Sequence, residues 1–454
     1  MNLPNYFLAD LPPEATLSPA MITEACQTLK RNREHYLAAR STESLVKILD
    51  EVAEGWLQPD NSFRTFALEL GPEKTGFSRA TLAKGLDNFF RQLTRDNFHS
   101  LLQQEFGDAK RLEKFVATSA EEKSNRAAMA AGPEFLVHFA AGSIPNPTLT
   151  NIVFGLLTRS AQFVKCASGS SFLPRMLAHS IYDADPKLGA CLEVAEWRGG
   201  NAALESALFA EADCVTSTGS DETLAAIRAQ LPVKTRFLGY GHRVSFGFVA
   251  AEASHGSRAK KIVAAAADDV VAWNQLGCLS PHVVYIEAGG EVPPDKFAGL
   301  LADELEQREQ IEPRGELAAE HAAVIASRRG IYEVRAAHSP ETTQHWCSKN
   351  STAWTVVYEA DTRFQMSCLN RFIYIKAAAD LTAALQGADD IRGKVSTVGI
   401  AAPEEKFNDI ATQLARWGAT RVCPLGQMQN PPLTWRHDGR PPLGDLITWT
   451  DLEK

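Results

Sequence analysis

Apolar side chains recur at helical spacing through the first 125 residues. Stretches 20–39 and 41–56 carry this pattern. Stretch 88–106 continues it with Phe89, Phe90, Leu93, Phe98, Leu101 and Leu102. Glycine and proline gather between these runs, which predicts a helical N-terminal segment broken by turns. From Glu134 the texture changes to short apolar runs separated by helix-length stretches. Strands are predicted at 135–140, 162–165, 192–197, 213–217 and 236–238, and helices at 148–158, 171–181, 201–210 and 222–230. Strands alternating with helices of this length imply a parallel sheet with crossover helices. A second region repeats the alternation, with helices at 258–274, 296–310, 316–327 and 404–417 and strands at 282–288, 354–359, 372–376, 395–401 and 421–423. The tail from Gly426 is rich in proline and glycine and too irregular to form its own core, so it is expected over a site or a subunit boundary. The fold class is therefore α/β, divided into a helical segment 1–125, a cofactor domain 126–238, a catalytic domain 239–426 and a tail 427–454.

Composition narrows the function. A chain of 454 residues can bury a sizeable core, and a net charge of −9 argues against nonspecific nucleic-acid binding, which needs a basic surface. No apolar run approaches membrane-spanning length, and the N-terminus Met-Asn-Leu-Pro-Asn lacks the pattern of a secretory signal, so a cytoplasmic protein is expected. The eight cysteines contain no Cys-x-x-Cys pair and read as free thiols, most of them small core residues. His345-Trp346-Cys347 and His437-Asp438 offer no partner pair at metal spacing, so no metal is expected.

Five segments carry candidate chemistry. Asn274-Gln275-Leu276-Gly277-Cys278 sets a cysteine beyond a helix, after a glycine that permits close backbone approach; alone, the cysteine reads more readily as one of eight small core residues. Thr218-Gly219-Ser220-Asp221-Glu222-Thr223 joins a strand to a helix. It offers backbone N–H groups to a phosphate, or is an ordinary cap made by Ser220 or Asp221. Phe163-Val164-Lys165-Cys166-Ala167-Ser168 is a strand with a lysine at its carboxyl end. In Gly239-Tyr240-Gly241-His242-Arg243-Val244-Ser245, His242 can exchange a proton and Arg243 can hold a phosphate, unless the turn is purely structural. Ala141-Gly142-Ser143-Ile144-Pro145 follows the first strand.

As a set, these segments resemble the aldehyde dehydrogenase superfamily. With Leu425-Gly426-Gln427-Met428 and His437-Asp438-Gly439, they resemble its long-chain acyl-thioester (acyl-CoA) reductases of the bacterial bioluminescence type, over essentially the whole chain. The resemblance implies a Rossmann-type dinucleotide-binding domain beside an α/β catalytic domain, and Cys278 as nucleophile with Asn274 in its segment. It implies Thr218, Gly219 and Ser220 at the cofactor pyrophosphate, Gly241 beside the cofactor and Lys165 on the adenosine ribose. Ser168 stands where NAD-selecting relatives carry a glutamate; a serine can donate to a 2′-phosphate, so NADPH is expected. Ser143 stands where an asparagine usually binds the oxyanion and is the expected donor with the Cys278 backbone N–H; Asn146 is close by. Leu224 replaces a second glycine. Gly239 stands where acid-forming relatives carry the glutamate that activates water.

The expected reaction is NADPH-dependent reduction of a long-chain acyl thioester, from acyl-CoA or an acyl carrier, to the aldehyde through acyl-Cys278. His242 is the candidate proton donor or acceptor. An acyl-activating partner protein and a homo-oligomer are expected. The rivals are an aldehyde-oxidising or short-chain acyl enzyme of the same superfamily, and a non-catalytic scaffold.

Overall fold

The computed structural model describes residues 3–12, 14–140 and 142–454; Ala141 and the Met1-Asn2 start invoked above lie outside the described residues. Five helices open the chain: Pro19–Tyr36, Thr42–Leu57, Ser62–Thr75, Arg79–Phe90 and Arg95–Phe106. Each is started by a side chain, from Ser18, Ser41, Asn61, Ser78 or Thr94, that accepts a hydrogen bond from the backbone N–H three residues on. Thr94 thereby splits the run expected at 88–106 into two helices.

Strand β1 (Arg126–Ala131) then leads into a five-stranded parallel sheet of β2 (Phe135–Phe139), β3 (Ala161–Cys166), β4 (Leu192–Glu196), β5 (Cys214–Thr218) and β6 (Arg236–Tyr240), in the order β4-β3-β2-β5-β6. Both faces are buried, as the apolar runs require. Phe135, Val137, Phe163 and Val215 pack with Ile22, Cys26 and Leu29 of the first helix on one face. Leu136, Val164, Val194 and Cys214 face Leu149, Ile152, Met176 and Leu177 on the other, continuous with the core of the N-terminal helices.

A second sheet holds β7 (Val244–Val249), β8 (Pro281–Glu287), β9 (Thr343–Cys347), β10 (Thr355–Glu359), β11 (Phe372–Ala378), β12 (Val395–Ala401) and β13 (Val422–Pro424), in the order β13-β12-β7-β8-β11-β10-β9. It is parallel except for the edge strand β9. Helices Ser257–Val271 and Pro294–Ile311 cover one face, and Ala319–His338 and Glu404–Trp417 the other. The last strand, β14 (Thr448–Glu453), pairs antiparallel with β1 and pins the tail to the start of the first sheet. No helix among the described residues is long and apolar enough to cross a membrane.

Three expectations are corrected here. The turn read as running to Ser245 ends earlier, because β7 begins at Val244. The helix expected through Asn274 stops at Val271. The edge strands β1, β9 and β14 and the central strand β7 went unpredicted.

Candidate active site

The segment that leads to Cys278 leaves helix Ser257–Val271 through three successive non-glycine residues in the left-handed region, Trp273 (φ 48), Asn274 (φ 52) and Gln275 (φ 63). Such conformations persist only where their surroundings over-determine them. Trp273 lies so close to Gly85 that a Cβ there would stand 2.1 Å from its ring. The Asn274 amide donates to the Arg314 carbonyl at 2.9 Å, and its oxygen accepts from Arg371 Nε at 3.2 Å. Gln275 donates to the carbonyls of Pro281 (2.7 Å) and Phe372 (2.9 Å). Both polar atoms of Asn274 are thus engaged inside the protein, where they hold the loop.

Cys278 emerges half-buried beyond this bend and lines a cavity with roughly 1250 Å³ of empty space, open mouth included. Its carbonyl accepts from Ser245 Oγ at 2.7 Å. Burial pushes the thiol up to about 12, and the charge of Asp438 pushes the same way; the Cys278 backbone N–H, the Ser396 hydroxyl and Arg243 pull it down. Cys26, Cys166, Cys191, Cys214 and Cys423 are buried, each pushed up to about 12 mainly by desolvation. Cys278 is the one cysteine that lines this cavity.

The cavity walls are mostly apolar. Phe89 comes from helix Arg79–Phe90 and Leu93 from the turn after it, Ile144 and Phe154 from the segment after β2, and Leu433 and Trp435 from the tail. The tail therefore roofs the site, as its irregular composition led us to expect. Asp269 fastens its start by accepting from the backbone N–H groups of Gly426 (2.5 Å) and Met428 (2.9 Å). Further on, His437 stacks on Tyr240 at 4.5 Å and lies 4.7 Å from Trp435, while Arg440 donates to the Gly239 carbonyl at 3.0 Å.

On the cofactor side, Thr218 lies at the carboxyl end of β5 and lines the same cavity. Ser220 caps helix Asp221–Gln230 by accepting from the Thr223 N–H at 3.3 Å. Gly219 carries no strain, but a Cβ on Gly241 would stand 2.5 Å from Asp221 Oδ1. Lys165 ends β3 almost fully buried, with Nζ 5.5 Å from the centre of the Phe139 ring and 5.6 Å from that of Trp197. Its amine makes no hydrogen bond among the described residues, and burial lowers its pKa, so a ribose hydroxyl there would satisfy it. Ser168 is exposed in the following turn. That turn is held by Glu196, which accepts from the backbone N–H groups of Gly169 (2.6 Å) and Ser171 (3.1 Å). Glu196 ends β4, and no local motif around Ser168 announces a carboxylate there.

Of the sequence-predicted site residues only Cys278 and Thr218 line the cavity, and the catalytic candidates Ser143 and His242 do not. Ser143 is exposed and does not line it, whereas Asn146 does, and the buried Asn146 Oδ1 has no hydrogen-bond partner. The expected oxyanion donor Ser143 thus stands outside the cavity, and Asn146 stands in its wall. His242 is exposed, with its backbone N–H on Asp221 Oδ1 at 3.3 Å. The half-buried histidine of the cavity is His437, which burial keeps below its ordinary pKa. His138 also lines it, but its ring is engaged by Thr216 (2.6 Å) and Gln162 (2.8 Å). Asp438, read from sequence as part of a turn, has a side chain only 4% exposed, with Oδ2 3.3 Å from Arg243 Nε. Among the described residues no group of three or more His, Cys, Asp or Glu is placed to hold a metal.

Two parallel sheets with a cysteine loop entering the cavity beside them define an aldehyde dehydrogenase-like protein. Solved structures of that class superpose along nearly the whole chain. A NAD-dependent benzaldehyde dehydrogenase from Corynebacterium glutamicum matches with a TM-score of 0.70 at 14% identity, covering 99% of this chain and 94% of its own. PnpE from Pseudomonas sp. WBC-3 matches with a TM-score of 0.69 at 12% identity, covering 96% and 90%. The family model described as acyl-CoA reductase (LuxC) matches residues 37–449, and the chain belongs to that family. The chain is 25% identical over 325 residues to long-chain acyl-protein thioester reductase 2 of Photobacterium leiognathi, covering 70% of this chain and 64% of that protein. It is 22% identical over 419 residues to the long-chain acyl-protein thioester reductase of Photorhabdus laumondii, covering 90% and 82%. The chain thus spans just under two thirds of the first relative's length.

Proposed function

We propose that this protein reduces a long-chain acyl thioester to the aldehyde with NADPH, through an acyl thioester on Cys278. The observation that carries the reading is the pairing of Cys278 with a mostly apolar cavity and a bare Gly239 where a water-activating carboxylate would stand. An apolar cavity takes an alkyl chain, and the missing base leaves the acyl-cysteine to a reductant instead of to water.

The Cys278 sulfur attacks the acyl carbon, the donor thiol leaves, and the acyl group stays on the enzyme. The free Asn146 amide and the Cys278 backbone N–H are the oxyanion donors; one such donor is typically worth about 10²–10³ in rate. Lys165, Ser168 and Thr218 are the residues available to NADPH, with the unbonded Lys165 amine free to meet a ribose. Bound nicotinamide supplies the hydride that converts the acyl group to aldehyde. Gly219 and Ser220, with Thr218, would face the cofactor pyrophosphate at the start of helix Asp221–Gln230, and Gly241 would lie beside it. The donor is acyl-CoA or an acyl carrier, delivered in the cytoplasm with the help of an acyl-activating partner. Homo-oligomerisation would use the outer face of helix Ala319–His338, where Val324, Ile331 and Val334 are exposed.

Mass spectrometry after mixing with acyl-CoA, without cofactor, tests the reading. One acyl group on Cys278 of the wild type and none on Cys278→Ala is the expected result. No acylation, or acylation elsewhere, contradicts it.

A further inference from the structure

Six carboxamide side chains line the cavity that Cys278 lines: Asn88, Gln92, Asn146, Asn151, Gln429 and Asn430. The other polar groups in its wall are hydroxyls, imidazoles, indoles and the thiol, and no Asp, Glu, Lys or Arg is among the described residues that line it. A charged group brought inside would lose its water and find no countercharge, which is costly. An amide would find partners. Two atoms of the tail lack theirs: Asn430 Oδ1 and Trp435 Nε1 are buried, and neither has a hydrogen-bond partner among the described residues. The first is an acceptor and the second a donor. Both are held in place. The Asn430 backbone N–H donates to the Gln427 carbonyl at 3.2 Å, and that of Trp435 to the Pro432 carbonyl at 2.9 Å. Gln429 is anchored by donating to Ser280 Oγ at 2.5 Å. The Trp435 ring lies 4.7 Å from that of His437 and carries the Arg421 guanidinium 5.8 Å from its centre. A fixed acceptor and a fixed donor left unpaired in one wall call for a ligand that completes both. A secondary amide does so, giving its N–H to Asn430 and taking the Trp435 N–H on its carbonyl.

We propose that the cavity recognises its acyl donor by the uncharged, amide-bearing pantetheine arm next to the thioester, with Asn430 and Trp435 as the specificity-determining residues. The proposal rests on the reading of Cys278 as an acyl acceptor and names the part of the donor that is read. Acyl-CoA and an acyl carrier share this arm. They differ beyond it, where one has a nucleotide with its phosphates and the other a protein. With no countercharge in the cavity wall, the phosphates stay outside and add little to recognition. The alkyl chain takes the apolar wall of Phe89, Leu93, Phe154 and Leu433.

The test is the rate of Cys278 acylation without cofactor, followed by mass spectrometry on the full chain. One acyl group is presented as the thioester of CoA, of pantetheine and of ethanethiol, which has no arm. Each rate is divided by that of the same donor with a small free thiol, to remove differences in intrinsic reactivity. Acyl-pantetheine should react within about tenfold of acyl-CoA. The ethyl thioester should react at least about tenfold more slowly than acyl-pantetheine, because it leaves the site's polar groups unpaired. Trp435→Phe, which keeps the ring and loses the N–H, and Asn430→Leu should each cut that preference by about threefold or more. The preference is a ratio, so a variant that is merely less stable leaves it unmoved. The proposal is overturned by acyl-CoA outrunning acyl-pantetheine by more than tenfold, by an ethyl thioester that keeps pace, or by an unmoved preference in both variants. If all three donors acylate Cys278 alike, the reading of the arm falls alone; if none does, the parent reading falls with it.

Discussion

Arg371 Nε donates to the Asn274 side-chain oxygen at 3.2 Å and so joins two tripeptides of left-handed backbone, Trp273-Asn274-Gln275 and Leu369-Asn370-Arg371. Arg371 is 1% exposed and also donates to Glu309 (2.9 Å) and the Glu312 carbonyl (2.8 Å). The bend that aims Cys278 is therefore locked from behind by a buried guanidinium. Asn274→Ala leaves the Arg314 carbonyl and Arg371 Nε without partners. The expected cost is about 1–3 kcal/mol of stability, read as a lowered urea midpoint, together with slower Cys278 acylation. An unchanged midpoint would show that the loop holds itself.

The direction of the chemistry is set around Gly239. A Cβ there would stand 2.9 Å from the Phe237 ring and 3.2 Å from Leu224 Cδ1. Leu224, one of this chain's departures from the superfamily pattern, fills the space a longer side chain would need. Gly239→Glu alone should release little free acid from acyl-Cys278. Combined with Leu224→Gly it should hydrolyse the intermediate about 10²–10⁴-fold faster than wild type. Equal hydrolysis by the single and double variants would remove Leu224 from the account.

Two positions test the proposed preference for NADPH. Ser168→Glu should raise the KM for NADPH tenfold or more and that for NADH much less, because a carboxylate repels a 2′-phosphate. Glu196, bonded to the neighbouring Gly169 N–H, already brings a carboxylate to that turn. Glu196→Gln should therefore lower the KM for NADPH while that for NADH stays put. A wild type that prefers NADH would contradict the assignment of Ser168.

Stability should fall in mild acid. Burial lowers His138 and His282 to about 4. Between the ordinary value near 6.5 and 4 the unfolded chain binds protons that the folded chain refuses, so the folded state loses stability as pH drops through this window. The loss is on the order of 2 kcal/mol for each histidine. Urea midpoints at pH 7 and pH 4.5 measure it, and His138→Gln should flatten the difference. A midpoint that rises toward pH 4.5 would have the wrong sign.

Short apolar runs made β2 to β6 legible, because a parallel sheet buried on both faces leaves continuous runs such as Phe163-Val164. The polar alternation of Thr448-Trp449-Thr450-Asp451 hid β14, which owes its pairing to Arg126–Ala131 more than 300 residues earlier. Cys278 was legible from its Asn-Gln-x-Gly-Cys context. The choice between Ser143 and Asn146 was not, since it depends on where helix Asn146–Leu157 begins and which side chain it turns inward. His242 and His437 differ likewise: a glycine-flanked turn looked chemical, whereas the tail histidine enters the cavity only because the tail folds back over Tyr240.

The central claim is that acyl-Cys278 forms and waits for a reductant. The direct measurement loads the protein with radiolabelled acyl-CoA, removes the excess, and follows the label with and without NADPH. The account predicts that label stays on Cys278 without cofactor and leaves as aldehyde when NADPH is added. Rapid release as free acid without cofactor would contradict it, as would label that never reaches Cys278.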